Sequence, residues 1–353
     1  VERNVIIAED KVMRARVVHS LSAAVVVLVL VNSGLAVTTL QPGYWAETYV
    51  TYSAPTMAIS PRDIMFDGNG NMYLTHIEAW PGGAIYRVEP DQTVTRWSDG
   101  LGTPRRLAWG GGTAYGDYLY LTEGDPRSIL QMAGDGTATT FASLSRTPHG
   151  LVIDRTGTYG GYMYTATRDG DRIVQIAPDG TESAFSGFPG TVPGGPIDLD
   201  IDPGAVYGGL MYLATSSPAE PDVSGLFAID PTGVATRFAP DIVDAFSVEV
   251  DPVGRLGGHM FVTGKTSLTD PVYSLFTVDA SGDITPFAVA TLGDGDLPTF
   301  AFGPDGTLFV PEYLPQSNQI VISAIRPIPA PGAALLTGLG AGCLAWLRRR
   351  RAA

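Results

Sequence analysis

A six-fold internal repeat, a pair of short alternating strands in each copy, and a composition rich in glycine (43) and proline (27) predict an all-β chain folded as a six-bladed β-propeller. The repeat is read first. "PRDIMFDGNGNMYLT" starts at Pro61, and "PRRLAWGGGTAYGDYLYLT" at Pro104. "PHGLVIDRTGTYGGYMYTAT" follows from Pro148 and "PIDLDIDPGAVYGGLMYLAT" from Pro196. "AFSVEVDPVGRLGGHMFVTG" from Ala245 and "LPTFAFGPDGTLFVPE" from Leu297 complete the set. The copies are spaced by 43, 44, 48, 49 and 52 residues, the length of a four-stranded blade.

Each copy holds two strands around a turn. Ile64, Leu107, Leu151, Leu199 and Val248 share one apolar column, and "MYL", "LYL", "MYT", "MYL", "MFV" and "LFV" form the second strand. Asp-x-x-Gly or Gly-Gly between them supplies the positive-φ positions of a tight turn. A second half then alternates, turns on a Pro-Asp-Gly-like stretch and alternates again, as in "DRIVQIAPDGTESAFSG". The sixth unit lacks its last strand. "AETYVTY", residues 46–52, resembles the outer strands "VTRWSD" and "ATRFAP" and is the candidate to close the ring. Closure removes the open sheet edge. The propeller is expected within residues 37–327.

The formal net charge is −14, and residues 37–347 carry 14 Lys and Arg against 33 Asp and Glu. Phosphate binding needs a basic footprint, so nucleic acid is excluded as a partner. The single cysteine, Cys343, leaves no internal disulfide and no cysteine-based zinc site.

Both ends read as addresses. From Met13 a basic stretch (Arg14, Arg16) leads into an apolar run over 21–31, and Gly34 and Ala36 stand in the −3 and −1 places of a cleavage site. This is a secretory signal, which implies Sec-type export machinery and a signal peptidase; residues 1–36 are an upstream extension and signal peptide outside the fold. At the other end, Pro329 and Pro331 precede an apolar helix expected over 332–347, followed by Arg348, Arg349, Arg350 and Arg351. Sixteen helical residues span about 24 Å, short of a bilayer core of about 30 Å. The arginines would stay on the cytoplasmic side.

In an antiparallel propeller the inner strands start at the rim to which the loops between second and third strands return. Arg62, Asp63, Arg105, Arg106, His149 and Asp198 stand at the strand starts. Glu78, Glu123 and Glu312 stand in or beside the loops. This charged rim at the tunnel mouth is the candidate binding region. Asp63, Asp198 and Glu312 are the carboxylates available to a divalent cation there. Asp and Gly in the opposite turns, such as "DGNGN" and "DRTGTYGG", read as turn formers first and as Ca²⁺ ligands second. The columns containing Tyr73, Tyr120, Tyr164 and Tyr212 read as packing between blades. No nucleophile motif, phosphate loop or dinucleotide fingerprint occurs.

On these repeats the body resembles the NHL and gluconolactonase-like six-bladed propellers and the virginiamycin B lyase group. The first resemblance implies a metal-dependent hydrolase with a cation on Glu, Asn and Asp at the tunnel mouth, yet the strand starts carry no Asn. The second implies a late-blade His beside a Glu, but His259 falls on the opposite rim and His149 in the third blade. The tail, residues 328–353, resembles a PEP-CTERM sorting signal, with Ala330 in place of the usual glutamate. That resemblance implies an exosortase as partner and passage from the inner membrane to the cell surface or exterior. The expected role is therefore an exported, matrix-associated binding module for polysaccharide, protein or a cation such as Ca²⁺, with the metal-dependent hydrolase as the alternative.

Overall fold

The computed structural model describes residues 37–54, 61–78, 82–167, 172–185, 195–204, 206–216, 224–270, 273–290 and 299–329. The expected signal peptide, and the expected sorting tail beyond Pro329, lie outside them. Among the described residues no helix is long and apolar enough to cross a membrane.

The described residues form six antiparallel sheets around one axis. Their inner strands are Asp63–Phe66, Pro104–Trp109, Pro148–Ile153, Pro196–Ile201, Asp244–Val250 and Ala301–Phe302, here numbered blades 1 to 6. In blades 1 to 5 the second strand is the most deeply buried, because it packs on both faces against neighbouring sheets. Met163–Thr167 and Met211–Thr215 are buried at every position. Neither carries a charged residue, where a half-exposed strand would place polar residues on its solvent face.

Blade 6 takes its outer strand from the start of the described chain. Tyr44–Ser53 pairs antiparallel with Gln319–Pro327, from Tyr44 opposite Pro327 to Ser53 opposite Gln319. A short strand not anticipated from the sequence, Val37–Thr39, adds a fifth strand to blade 5 against Ile284–Ala290.

The turns between first and second strands come in two lengths. Blades 2 to 5 use nine residues and blades 1 and 6 use five. In the long turns of blades 3 to 5 an aspartate gathers backbone N–H groups. Asp154 accepts from Thr156, Gly157, Tyr159 and Gly161 at 2.8–3.0 Å. Asp202 and Asp251 repeat the pattern. These carboxylates are turn formers, occupied by donors. Gly161, Gly209 and Gly258 carry the positive φ that lets each turn close.

The long turns also staple one blade to the next. The Tyr159 hydroxyl donates to Ile229 O at 2.5 Å and accepts from Met211 N at 2.7 Å, reaching from blade 3 into blade 4. Tyr207 does the same to Val278 and Met260 of blade 5. Tyr115 does so to Ile176 and Met163 of blade 3. Tyr120, Tyr164 and Tyr212 are buried and donate to the carbonyls of Tyr115, Tyr159 and Tyr207, which makes them packing residues as the repeat implied.

Candidate functional site

The position just before the shared apolar column faces the axis where the inner strands converge. It holds Asp63, Arg106, Gly150, Asp198, Ser247 and Thr299 in blades 1 to 6. Arg106 crosses from blade 2. Its guanidinium donates to Asp63 Oδ1 at 2.9 Å, to Thr299 Oγ1 at 3.1 Å and to the Phe246 carbonyl at 2.7 Å. Its Nε lies 3.4 Å from Asp198 Oδ1. Gly150 leaves the room: a Cβ there would stand 2.9 Å from the Asp198 Cα.

The second oxygen of each of these carboxylates also has a donor. Asp63 Oδ2 accepts from Leu107 N at 2.7 Å, and Asp198 Oδ2 accepts from Ser247 Oγ at 2.7 Å. Burial raises the Asp63 pKa, with Arg106 opposing it, and burial also raises that of Asp198. Arg106 is only 4% exposed, so the layer closes the tunnel at the level of the strand starts.

Beyond it lies a cavity of about 320 Å³ that runs toward the opposite rim, past Phe66, Trp109, Phe302 and Pro252. Two further carboxyls line it. Asp200 accepts from Val250 N at 2.8 Å, and Glu249 accepts weakly from Phe302 N at 3.3 Å. Burial pushes Asp200 up to about 7. Burial, then the charge of Asp200, pushes Glu249 well above the carboxylate range. Sequence reasoning passed over both, although Asp200 sits two residues beyond Asp198, already singled out, and Glu249 two beyond Ser247.

The other expected rim residues do not join this layer. Arg105 packs its guanidinium on the imidazole of His149, 2.7 Å from Nε2. Glu78 pairs with Arg96 at 2.7 Å. Glu123 accepts from Gly102 N and Ser128 Oγ. Glu312 is fully buried in the second strand of blade 6, and Arg62 is half-buried, its N–H bonded to Thr75 O at 3.0 Å.

The profile of a family described as SMP-30/Gluconolactonase/LRE-like region matches residues 12–197, just over half of the chain. The chain belongs to this family. Among solved structures, this SMP-30/gluconolactonase-like propeller resembles a gluconolactonase from Xanthomonas campestris at 15% identity. That match covers 78% of this chain and 88% of the other, with a TM-score of 0.57. It also resembles virginiamycin B lyase from Staphylococcus aureus at 12% identity, over 81% and 100% of the chains, with a TM-score of 0.53. An auxiliary nutrient binding protein from Bacteroides thetaiotaomicron matches at 12% identity over 81% and 77%, with a TM-score of 0.55. These likenesses establish the fold. No curated protein matches the chain.

A divalent cation at the tunnel mouth, as the gluconolactonase resemblance implies, does not fit the side chains of this SMP-30/gluconolactonase-like chain. Asp63 and Asp198 converge on a guanidinium rather than on an open position, and Glu312 is buried in the second strand of blade 6. Among the described residues no group of three His, Cys, Asp or Glu is placed to hold a metal ion. Arg106 supplies the positive charge that a cation would bring.

Proposed function

We propose that this propeller is a non-enzymatic binding module, exported and held at the surface or in the matrix outside the cell. The observation that carries the reading is Arg106. A buried guanidinium tied to four blades closes the tunnel mouth and consumes the two carboxylates that metal chemistry would need. Pulling it out would leave those carboxylates buried and uncompensated, so the closure is not a gate that opens cheaply. The secretory pattern before Val37 and the Pro-x-Pro, apolar and arginine sequence from Pro329 onward support export through a Sec-type route and sorting by an exosortase. The strongly acidic body favours neutral or cationic partners over anionic polymers.

The test is calorimetric titration of Ca²⁺, Mg²⁺ and Zn²⁺ into the purified protein, with a parallel screen of lactone and ester hydrolysis. The expected outcome is no micromolar binding and no cation-dependent turnover. Hydrolysis that requires a divalent ion and disappears in Asp63→Asn would replace this reading with the metal-dependent hydrolase.

A further inference from the structure

The tyrosine staples occupy the junctions from blade 2 to 3, 3 to 4 and 4 to 5. The remaining three lack them. From blade 5 to 6, Leu256 stands in the tyrosine's place within an apolar cluster that includes Phe261 and Phe287. From blade 6 to 1, the space is filled by rings packed edge-on and tilted: the Phe309 centroid lies 5.1 Å from that of Phe66 and 5.0 Å from that of Tyr49. From blade 1 to 2 the short turn Asp67 to Asn71 brings no tyrosine, and a cleft of about 610 Å³ remains open.

This cleft is lined by Leu119 and Met132. They face each other across blade 2 as Met163 and Ile176 do in blade 3, where the staple hydroxyl bonds the first one's N–H and the second one's carbonyl. The place vacated by a ring bearing a hydroxyl is thus still framed by the same backbone pair.

The repeat also breaks in what surrounds the cleft. Trp97 replaces the phenylalanine found as Phe141, Phe185, Phe238 and Phe287 in blades 2 to 5, and is pinned by a bond from Nε1 to Gly134 O at 3.2 Å. Trp109 replaces Ile153, Ile201 and Val250, and is followed by Gly110 where blades 3 to 5 have their turn-forming aspartate. Its indole lies on the backbone of Gly68 and Gly111; a Cβ on Gly111 would stand 2.3 Å from Nε1. Both tryptophans are partly exposed, and Arg87 Nε is buried at the cleft with no hydrogen-bond partner among the described residues. Arg87 is already paired with Glu89, so no cation is free for a uronate or sulfate.

Partly exposed indole rings, a buried donor and a framed hydroxyl position match the chemistry of a sugar ring, whose apolar face stacks and whose edge carries hydroxyls. We propose that the cleft between blades 1 and 2 binds a neutral saccharide, stacked on Trp97 and Trp109, with one hydroxyl where the missing tyrosine's would be. This rests on the binding-module reading and names its ligand class and place.

The test uses the full-length chain in mild detergent, titrated with cellohexaose, maltohexaose and hexa-N-acetylchitohexaose, with polygalacturonate as the anionic comparison. Tryptophan emission and calorimetry report binding. At least one neutral hexasaccharide is expected to shift the emission and bind. Trp109→Ala and Trp97→Ala are expected to weaken it at least tenfold, while Trp45→Phe, in the outer strand of blade 6, leaves it unchanged. Trp109→Leu keeps the bulk without the flat ring and serves if the alanine variant does not fold. Failure of all three neutral sugars overturns the proposal. Binding undiminished in both tryptophan variants also overturns the cleft assignment, but leaves the binding-module reading standing. Cation-dependent lactone hydrolysis without sugar binding removes both.

Discussion

At the scale of single residues, the tunnel is a low-dielectric channel whose described lining holds four carboxyls and one buried guanidinium, with Arg155 at its exposed end. Asp63 and Asp198 share the guanidinium, whereas Asp200 and Glu249 have only backbone donors. A carboxyl whose folded pKa is raised binds its proton more tightly in the native state than in the unfolded chain. Its stabilisation is therefore full on the acid side and is lost as pH rises through the folded value. For Asp200 that loss runs from the ordinary carboxylate range up to about 7. The urea midpoint is accordingly expected to fall between pH 5 and pH 7.5, by about 1–3 kcal/mol in unfolding free energy. The double variant Asp200→Asn, Glu249→Gln should flatten the profile. A midpoint that climbs over this window would refute the assignment. Asp63, Arg106 and Asp198 were legible in the sequence as strand-start charges. Their mutual contact was not, because it depends on closing six strands to a diameter that one arginine can cross. Asp200 and Glu249 alternate with apolar residues along their strands, and only ring closure turns their face into a tunnel wall.

At the scale of the element, the long turns bear more than their backbone reversal. Each tyrosine staple satisfies two backbone groups of the next blade with one hydroxyl. Tyr159→Phe keeps the ring and strands Met211 N–H and Ile229 O in a buried junction. The expected cost is about 1–3 kcal/mol, read by chemical denaturation. Tyr118→Phe, at a residue 43% exposed, should change nothing measurable. The strands and the turn role of the aspartates were plain from the repeat, since local chemistry determines both. The staples were not, although Tyr115, Tyr159 and Tyr207 recur in register, because a residue inside a Gly-rich turn gives no periodic signal of burial. The cleft escaped for a related reason: its sign is an omission in one copy.

At the scale of the whole molecule, the ring is fastened by its two ends. Removing residues 37–53 would strip blade 6 of its outer strand and blade 5 of its fifth, baring Gln319–Pro327 as a free edge. Such edges template association. The shortened protein is expected to form multimers or aggregates by light scattering at concentrations where the full chain stays dispersed; a monomer with unchanged melting would refute the fastening role. The six units and the split last one were readable because equal spacing leaves a missing strand conspicuous. The same fastening has a consequence in time. Glu47 meets Arg326 across 279 residues of chain, so the first strand waits for the last. Loop closure over such a length is slow to nucleate. A chain threaded through a membrane pore from its N-terminus would emerge with its clasp present and its catch still on the far side, and would remain unlocked until transit was nearly complete.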